Sequence, residues 1–107
     1  MLVAEDDGRI VGELGIEVAR YGVAEFGMMV SADGRGRGVG SALLSGAIEW
    51  ARGAGAHKVA LQVWPHNEAA IALYRKFGFE QEGLLRRHYR RRNGELWDAV
   101  VMGLALG

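Results

Sequence analysis

The 107-residue sequence contains no cysteine, so the chain has no disulfide scaffold, no thiolate metal site and no cysteine nucleophile. The absence fits a reducing compartment. The sequence also has no run of about 18 apolar residues, so we expect no transmembrane helix and no membrane partner. The first residues, Met-Leu-Val-Ala-Glu-Asp-Asp, carry acid where a signal peptide carries base. We therefore expect a cytoplasmic protein.

The sequence has no net charge, because 13 lysines and arginines balance 13 aspartates and glutamates. The charges are unevenly placed: residues 1–34 carry seven acids and two bases, and residues 35–107 carry six acids and eleven bases. This asymmetry fits an amine substrate near the acidic part and a phosphorylated cofactor near the basic part, or ordinary surface charge. Half of the residues are apolar, which is enough for one modest core. We therefore expect a single domain over residues 1–107.

Glycine is abundant, and it is densest between Val30 and Leu44. This stretch is typical of the end of a strand, a loop and the first turns of a helix. Glycine lets the backbone approach a ligand closely, because no Cβ stands in the way. The free N–H groups at the start of a helix, together with the helix dipole, favour a bound phosphate or pyrophosphate.

Two familiar phosphate loops do not fit this stretch. A Walker loop requires a lysine that is missing beside Gly40, and the dinucleotide fingerprint requires glycine at 39 or 41, where Val39 and Ser41 stand. The pattern present is Arg35-x-x-Gly38-x-Gly40. It resembles the coenzyme A pyrophosphate loop of the GNAT superfamily of N-acetyltransferases.

Periodicity along the chain predicts an α/β protein of order βββ-α-β-α-ββ around a mixed sheet. The expected helices each present an apolar face, and Asn93-Gly94 predicts a closing hairpin. Trp50, Trp64 and Trp97 are expected in the core or at an interface. The predicted elements are strands Leu2–Glu5, Ile10–Val18 and Val23–Val30, a helix from Val39 to about Arg52 whose apolar stripe includes Trp50, strand Lys58–Trp64, a helix between Asn67 and Gly78, and strands Glu80–Arg92 and Glu95–Leu106.

Two further motifs extend the resemblance over nearly everything from Leu2 to Leu106. Asn67-x-x-Ala70-x-x-Leu73-Tyr74-x-x-x-Gly78-Phe79 looks like the second cofactor motif of the superfamily. The closing hairpin, with Asp98 and Met102, resembles the branch that acetylates small molecules, amino acids or peptide ends. The resemblance implies a mixed, mostly antiparallel GNAT-like sheet. It also implies acetyl transfer from acetyl-CoA to a primary amine by direct attack, without a metal.

The resemblance further implies where the coenzyme binds. Backbone amides around Arg37–Ser41 hold the pyrophosphate, and Arg35 and Arg37 add charge-assisted bonds. The acyl-pantetheine arm lies between Phe26–Val30 and Val59–Trp64, with a bulge at Gly27-Met28-Met29 and a main-chain N–H near Met29 polarising the thioester. The expected cofactor-binding residues are Met29, Val30, Arg35, Gly36, Arg37, Gly38, Val39, Gly40, Ser41, Asn67, Ala70 and Tyr74.

Two residues are candidates for proton transfer. By analogy with the family, the Tyr74 hydroxyl protonates the leaving thiolate, because a phenol with a pKa of about 10 stays protonated at neutral pH. The register of Tyr74 on its helix also fits simple core packing. Glu25, ten positions before Arg35, is the candidate base. Either its apolar neighbours Ala24 and Phe26 surround the carboxylate, or Glu25 acts through a chain of water molecules.

Other bases remain open. His66 and His88 are alternatives, because histidine exchanges protons near neutral pH. Many relatives use no dedicated base at all. In the bacterial ribosomal-protein branch the base lies near position 62, but Gln62 stands here, which counts against that mechanism and that substrate.

Three departures or ambiguities remain at this stage. Superfamily members usually begin with a strand and one or two helices before the equivalent of Leu2, and this sequence opens in the second strand; the exposed edge predicts a homodimer. The arginine-rich stretch Arg86–Arg92 could contact RNA or the 3′-phosphate of coenzyme A, or it could form a solvated hairpin. We favour the solvated hairpin and therefore expect no nucleic-acid partner. The alternative function is a non-catalytic CoA-binding or assembly module.

Overall fold

A computed structural model describes residues 2–6, 8–30 and 38–107 of the chain. The element order is the predicted βββ-α-β-α-ββ, with a short 3-10 helix inserted at Arg20–Gly22. Predicted and observed boundaries agree within a few residues, and the largest shift is at the closing hairpin. The elements are β1 (Leu2–Asp6), β2 (Arg9–Val18), β3 (Val23–Val30), α1 (Val39–Gly53), β4 (Lys58–Val63), α2 (Glu68–Lys76), β5 (Glu80–Arg90) and β6 (Leu96–Ala105).

Contacts within the chain divide it into two compact units. The first unit comprises Met1–Val59 and Ala105–Gly107, and the second comprises Ala60–Leu104. A single domain over the whole chain stays a prediction, and each unit is described by itself below.

The first unit is a three-stranded antiparallel sheet with α1 packed on one face. The strands are ordered β1-β2-β3, and β2 pairs with β3 without a register shift from Gly12↔Val30 to Val18↔Ala24. Alternation sends one set of side chains toward α1 and the other set to solvent. Among the described residues, the buried hydrophobic side chains of this sheet and α1 are Leu14, Ala24, Phe26, Leu43, Leu44, Ala47 and Ala51.

Helix α1 ends close to where the glycines predict. It includes Gly53 and is closed by Ala54, and Gly55 takes the left-handed conformation with φ 82°. The predicted apolar stripe is confirmed at Leu43, Ala47 and Ala51, which are buried. Trp50 was expected in the same stripe, but its side chain is 44 % exposed. A core position for Trp50 is therefore wrong.

The second unit contains β4, β6 and β5 in that order, together with α2. β5 and β6 are antiparallel and form the predicted hairpin. Its loop has three residues, Arg92 to Gly94: the Gly94 N–H donates to the Arg91 carbonyl at 2.9 Å, and Gly94 has φ 90°. This is a type I turn followed by a left-handed glycine, one of the common hairpin loops.

β5 is irregular where it faces β6. Its register shifts between Gln81 and Gly83 and again between Leu85 and Tyr89. Inside the second bulge Arg87 has φ 50°, a conformation that non-glycine residues rarely adopt. The Arg87 N–H donates to Oδ1 of Asp98 at 2.7 Å, so a side chain satisfies a backbone group that the sheet leaves unpaired. No described helix is long and apolar enough to span a membrane.

Candidate active site

The start of α1 has the properties of an anion site. Gly38 precedes the helix with φ 75°, in the left-handed region where glycine is unstrained, and it has no side chain with which to cap the helix. The first turn contains no acidic residue that would repel an anion. The amides of Val39, Gly40 and Ser41 lie before the first intrahelical bond, in which the Ala42 N–H donates to the Gly38 carbonyl at 3.0 Å. These three groups and the helix dipole suit a pyrophosphate.

The close contact between α1 and β2 holds this helix end in place. A Cβ on Gly12 would lie 2.7 Å from Cγ1 of Val39 and 3.0 Å from Cδ1 of Leu43, so any larger residue would force these side chains to shift. Gly12 falls within the predicted strand Ile10–Val18, and the sequence predicts no special role for it. The signal available was a glycine among the larger residues of a strand's buried face, which often marks a close backbone approach.

Part of the predicted coenzyme site lies outside the described residues. Arg35, Gly36 and Arg37 belong to this part. Val30 is described only by its backbone, which ends β3 opposite Gly12. Met29 lies on β3 opposite Glu13, and its side chain is 68 % exposed. β3 shows no bulge at Gly27 to Met29 in its pairing with β2, while a bulge toward β4 stays a prediction.

Asn67 caps α2, as the sequence predicts. The Ala70 N–H donates to Oδ1 of Asn67 at 3.2 Å. This bond uses the side-chain oxygen and leaves the Nδ2 group as a donor for a ligand. The role of Asn67 in the helix is therefore confirmed, and contacts of Asn67 and Ala70 with the coenzyme stay predictions.

Tyr74 lies in the interior of the second unit. Its side chain is 5 % exposed, and its ring packs against Phe79 at 5.8 Å between centroids. Burial raises the pKa of the Tyr74 phenol above its ordinary value, because the phenolate would lose its hydration. Packing and proton donation are compatible here, since burial strengthens the preference for the protonated form that a general acid needs.

Glu25 lies on the exposed face of the first unit's sheet. It pairs across the strands with Glu17, and both side chains are exposed. Ala24 and Phe26 are buried on the opposite face of β3. The expectation that they surround the carboxylate is wrong, because successive side chains of a strand alternate between its faces. A role for Glu25 as base stays a prediction.

The second unit contains an aromatic cluster that the sequence does not predict. The rings of Trp64 and Trp97 meet edge to face at 5.0 Å, and Tyr89 meets Trp64 at 5.4 Å. The Tyr89 hydroxyl donates to Oε1 of Gln62. The guanidinium of Arg91 lies over both indoles, 4.3 Å from the Trp97 ring and 5.0 Å from a Trp64 ring. Trp64 and Trp97 are expected from the sequence in the core or at an interface, but their contact depends on strand pairing.

Of the two alternative bases, His66 belongs to this cluster, where its ring meets Trp97 at 4.9 Å. His88 packs against Tyr89 at 4.8 Å. Among residues 2–6, 8–30 and 38–107, no three histidine, aspartate or glutamate side chains are arranged to hold a metal ion.

Known proteins resemble this chain in sequence and in fold. The model of the acetyltransferase (GNAT) family matches residues 1–79. The L-amino acid N-acetyltransferase AaaT of Escherichia coli (strain K12) is 42 % identical over 109 residues, which cover 94 % of this chain and 65 % of that relative. The chain thus spans slightly less than two thirds of the length of this relative.

Two solved structures show the same architecture. The ribosomal-protein-alanine N-acetyltransferase of Brucella melitensis superposes with a TM-score of 0.88 at 32 % identity, over 97 % of this chain and 67 % of the other. The yncA protein of Salmonella typhimurium, whose structure was solved with its cofactor acetyl-CoA, has a TM-score of 0.87 at 26 % identity, over 98 % and 63 %. These matches confirm the expected mixed, mostly antiparallel fold, and with the family match they show that this chain belongs to the GNAT acetyltransferase family.

Proposed function

We propose that this chain takes part in transferring an acetyl group from acetyl-CoA to a primary amine of a small molecule, an amino acid or a peptide. The observation that carries the proposal is the uncapped start of α1 behind Gly38, in a chain of the acetyltransferase family. Three backbone amides that precede the first intrahelical bond, a left-handed glycine and no acid in the first turn suit the pyrophosphate of coenzyme A. Arg35 and Arg37 add positive charge beside it in the sequence.

The chemistry is a direct attack that forms no acyl-enzyme. The amine nitrogen forms a bond with the acetyl carbonyl carbon, and the carbon–sulfur bond breaks. Tyr74 gives its phenolic proton to the leaving thiolate, while Glu25, directly or through water, takes the proton that the amine loses. A main-chain N–H near Met29 polarises the carbonyl oxygen. Asn67 holds the pantetheine arm with its free amide group.

The buried Tyr74 suits the role of acid, because its raised pKa keeps the phenol protonated at all physiological pH values. Glu25 suits the role of base by its charge and its exposure. A cytoplasmic location and a homodimer remain predictions from the composition and the exposed sheet edge.

A thiol-release assay tests the proposal. The protein is incubated with acetyl-CoA and a panel of amines that includes free amino acids and peptides, and released thiol is compared with acetylated amine by mass spectrometry. We expect one thiol for each acetyl group transferred to an amine. Coenzyme binding with no turnover of any amine would instead support the non-catalytic binding module.

Tyr74→Phe tests the acid, because it keeps the buried ring and removes the proton. Loss of general acid catalysis costs typically about 100-fold or more in rate. Glu25→Gln is the parallel test for the base. Full activity of either variant removes that residue from the mechanism while leaving acetyl transfer itself intact.

A further inference from the structure

The tip of the β5–β6 hairpin carries a cleft that the proposed chemistry does not use. Its volume is about 470 Å³, and it is lined by Arg90, Arg91, Arg92, Asn93 and Trp97. Residues 86–98 contain five arginines and only two acids, Glu95 and Asp98. We call these five lining residues the hairpin cleft.

One arginine of the hairpin cleft is held in a fixed orientation. The Arg91 guanidinium lies against Trp97 at 4.3 Å and against a Trp64 ring at 5.0 Å, and the two indoles are nearly perpendicular. An arginine stacked on aromatic faces keeps its N–H groups in the guanidinium plane, where they remain able to bind an oxyanion with two bonds. The backbone supports the same position, because the Arg91 N–H donates to the Glu95 carbonyl at 2.8 Å.

Two carboxylates belong to the hairpin, and one of them contacts the cleft. The Glu95 carboxylate accepts from Nδ2 of Asn93 at 2.7 Å and from Nε1 of Trp97 at 3.1 Å. Asp98 accepts from the backbone of Arg87. Within the described part of the chain, the side chains of Arg90 and Arg92 make no hydrogen bond or ion pair. The hairpin cleft therefore carries three arginines beside one carboxylate, that of Glu95, so an excess of positive charge remains.

The hairpin cleft lies near the start of α2. Its wall residue Trp97 contacts the ring of His66, and the next residue along the chain is the helix cap Asn67. In the proposed function Asn67 contacts the coenzyme, and Tyr74 follows it on the same helix. A group bound in the hairpin cleft thus lies at the end of the second unit where α2 begins.

We propose that the hairpin cleft is an oxyanion site that selects acceptors bearing a carboxylate or phosphate group in addition to their amine. The shared chemistry is bidentate recognition by guanidinium. A nucleic acid fits less well, because Arg91 covers faces of Trp64 and Trp97 on which bases would stack. The selection of acceptors rests on the proposed function, but the anion site itself does not.

The first test is an NMR titration that follows the Arg91 Nε–H and Trp97 Nε1–H signals, with citrate and inorganic pyrophosphate as probes. Because the readout is local, pyrophosphate bound at α1 does not interfere. We expect saturable shifts with at least one probe, and the stronger probe identifies the carboxylate or the phosphate as the preferred group. Arg91→Gln should weaken binding about tenfold, and Arg91→Lys should restore it only in part, because lysine keeps the charge but lacks the planar fork.

Arg86→Gln is the matched control, since it removes the same charge from the same hairpin without removing a lining residue. It should leave the affinity within about twofold, because charges beyond the contact are screened. Equal losses in Arg86→Gln and Arg91→Gln overturn the site in favour of a general field. No shift with either probe, or tighter binding of a single-stranded RNA than of both probes, also overturns it.

The second test is kinetic and concerns the acceptor. Each amine that carries a distal carboxylate is compared with its carboxamide analogue. We expect a KM about tenfold lower for the acid in the wild-type protein, and nearly equal KM values in Arg91→Gln. Turnover without this preference overturns the acceptor assignment alone. Anion binding with no turnover of any amine overturns the acceptor assignment and the proposed function, and leaves the anion site standing.

Discussion

Tyr74 shows how one residue serves both the core and the proposed chemistry. A phenol on a short helix can contribute packing without losing its ability to donate a proton, provided that its environment disfavours the phenolate. Here the burial that holds the ring against Phe79 also raises the pKa of the hydroxyl. The structural and catalytic interpretations of Tyr74 therefore make different predictions only when the hydroxyl is removed.

The raised pKa of Tyr74 predicts how stability depends on pH. Since the unfolded phenol loses its proton first, the stability that Tyr74 contributes is fully present below about pH 10 and is lost as the pH rises toward the folded pKa. The unfolding free energy of the wild type should fall relative to Tyr74→Phe by up to about 1.4 kcal/mol for each pH unit in this window. Urea denaturation of both proteins from pH 8 to 11 measures the difference. Parallel curves would contradict the effect of burial.

Gly12 is a residue whose importance is steric. Gly12→Ala brings a Cβ to 2.7 Å from Val39, and the stiff valine side chain at the start of α1 has to move. Overpacking of this kind costs about 1–3 kcal/mol. We expect that loss in urea denaturation, together with weaker coenzyme binding, because the displaced residue carries one of the free amides.

Gly15→Ala is the control for this substitution. Gly15 is on the same strand, and a Cβ there would meet nothing within 4 Å. Its unfolding free energy should change by less than about 0.5 kcal/mol. If Gly12→Ala and Gly15→Ala lower the unfolding free energy equally, the cause is the loss of a glycine from β2 and not the contact between Gly12 and α1.

At the scale of elements, the two helices begin in different ways. α1 starts from a glycine that offers its amides to a ligand, whereas Asn67 satisfies an amide of α2 with its own side chain. A helix end left uncapped needs another partner for its N–H groups, either water or a bound anion. This difference separates the proposed pyrophosphate site from an ordinary helix start.

Substitutions of Asn67 separate capping from coenzyme contact. Asn67→Ala should lower the unfolding free energy by about 1 kcal/mol, because the Ala70 N–H loses its acceptor. Asn67→Asp keeps the acceptor and should keep most of this stability, but it replaces the Nδ2 donor with a carboxylate. Denaturation and coenzyme titration measure the two effects. Unchanged coenzyme affinity in Asn67→Asp would limit Asn67 to capping.

The second bulge of β5 places Arg87 in an unfavourable backbone conformation. Arg87 occupies the left-handed region, which costs an L-residue about 1–2 kcal/mol, and the bond from its N–H to Asp98 offsets part of this cost. Bulges re-aim side chains along a strand. Here the bulge ends at Tyr89, where regular pairing resumes and leads into the tip that carries the hairpin cleft.

At the scale of the whole molecule, coenzyme binding should stabilise the chain. A ligand that binds only the folded state adds about 2.7 kcal/mol at 100 times its Kd. We expect acetyl-CoA to raise the thermal unfolding midpoint in a concentration-dependent way. Adenosine is the control, since it lacks both the pyrophosphate and the pantetheine arm. An equal rise with adenosine, or none with acetyl-CoA, would contradict the assignment of the α1 site.

Element types and order could be predicted from sequence because they depend on local periodicity. Alternation marks the three opening strands, helical spacing marks α1 and α2, and Asn67 and Gly78 mark the ends of α2. The glycine-rich loop and the second cofactor motif could also be recognised in the sequence, because the residues of each motif are close together in the chain. These features were enough to predict the family.

Tertiary structure decided the features that depend on residues far apart in sequence. Trp50 belongs to the helical stripe by spacing, but its side chain is 44 % exposed, and helical spacing alone does not show this. Neighbours of Glu25 in sequence proved to be on the opposite face, and the Arg91 contact with two indoles required β4 and β6 to meet. Local sequence determines what each segment becomes, while burial, charge and contact arise only where distant segments pack together.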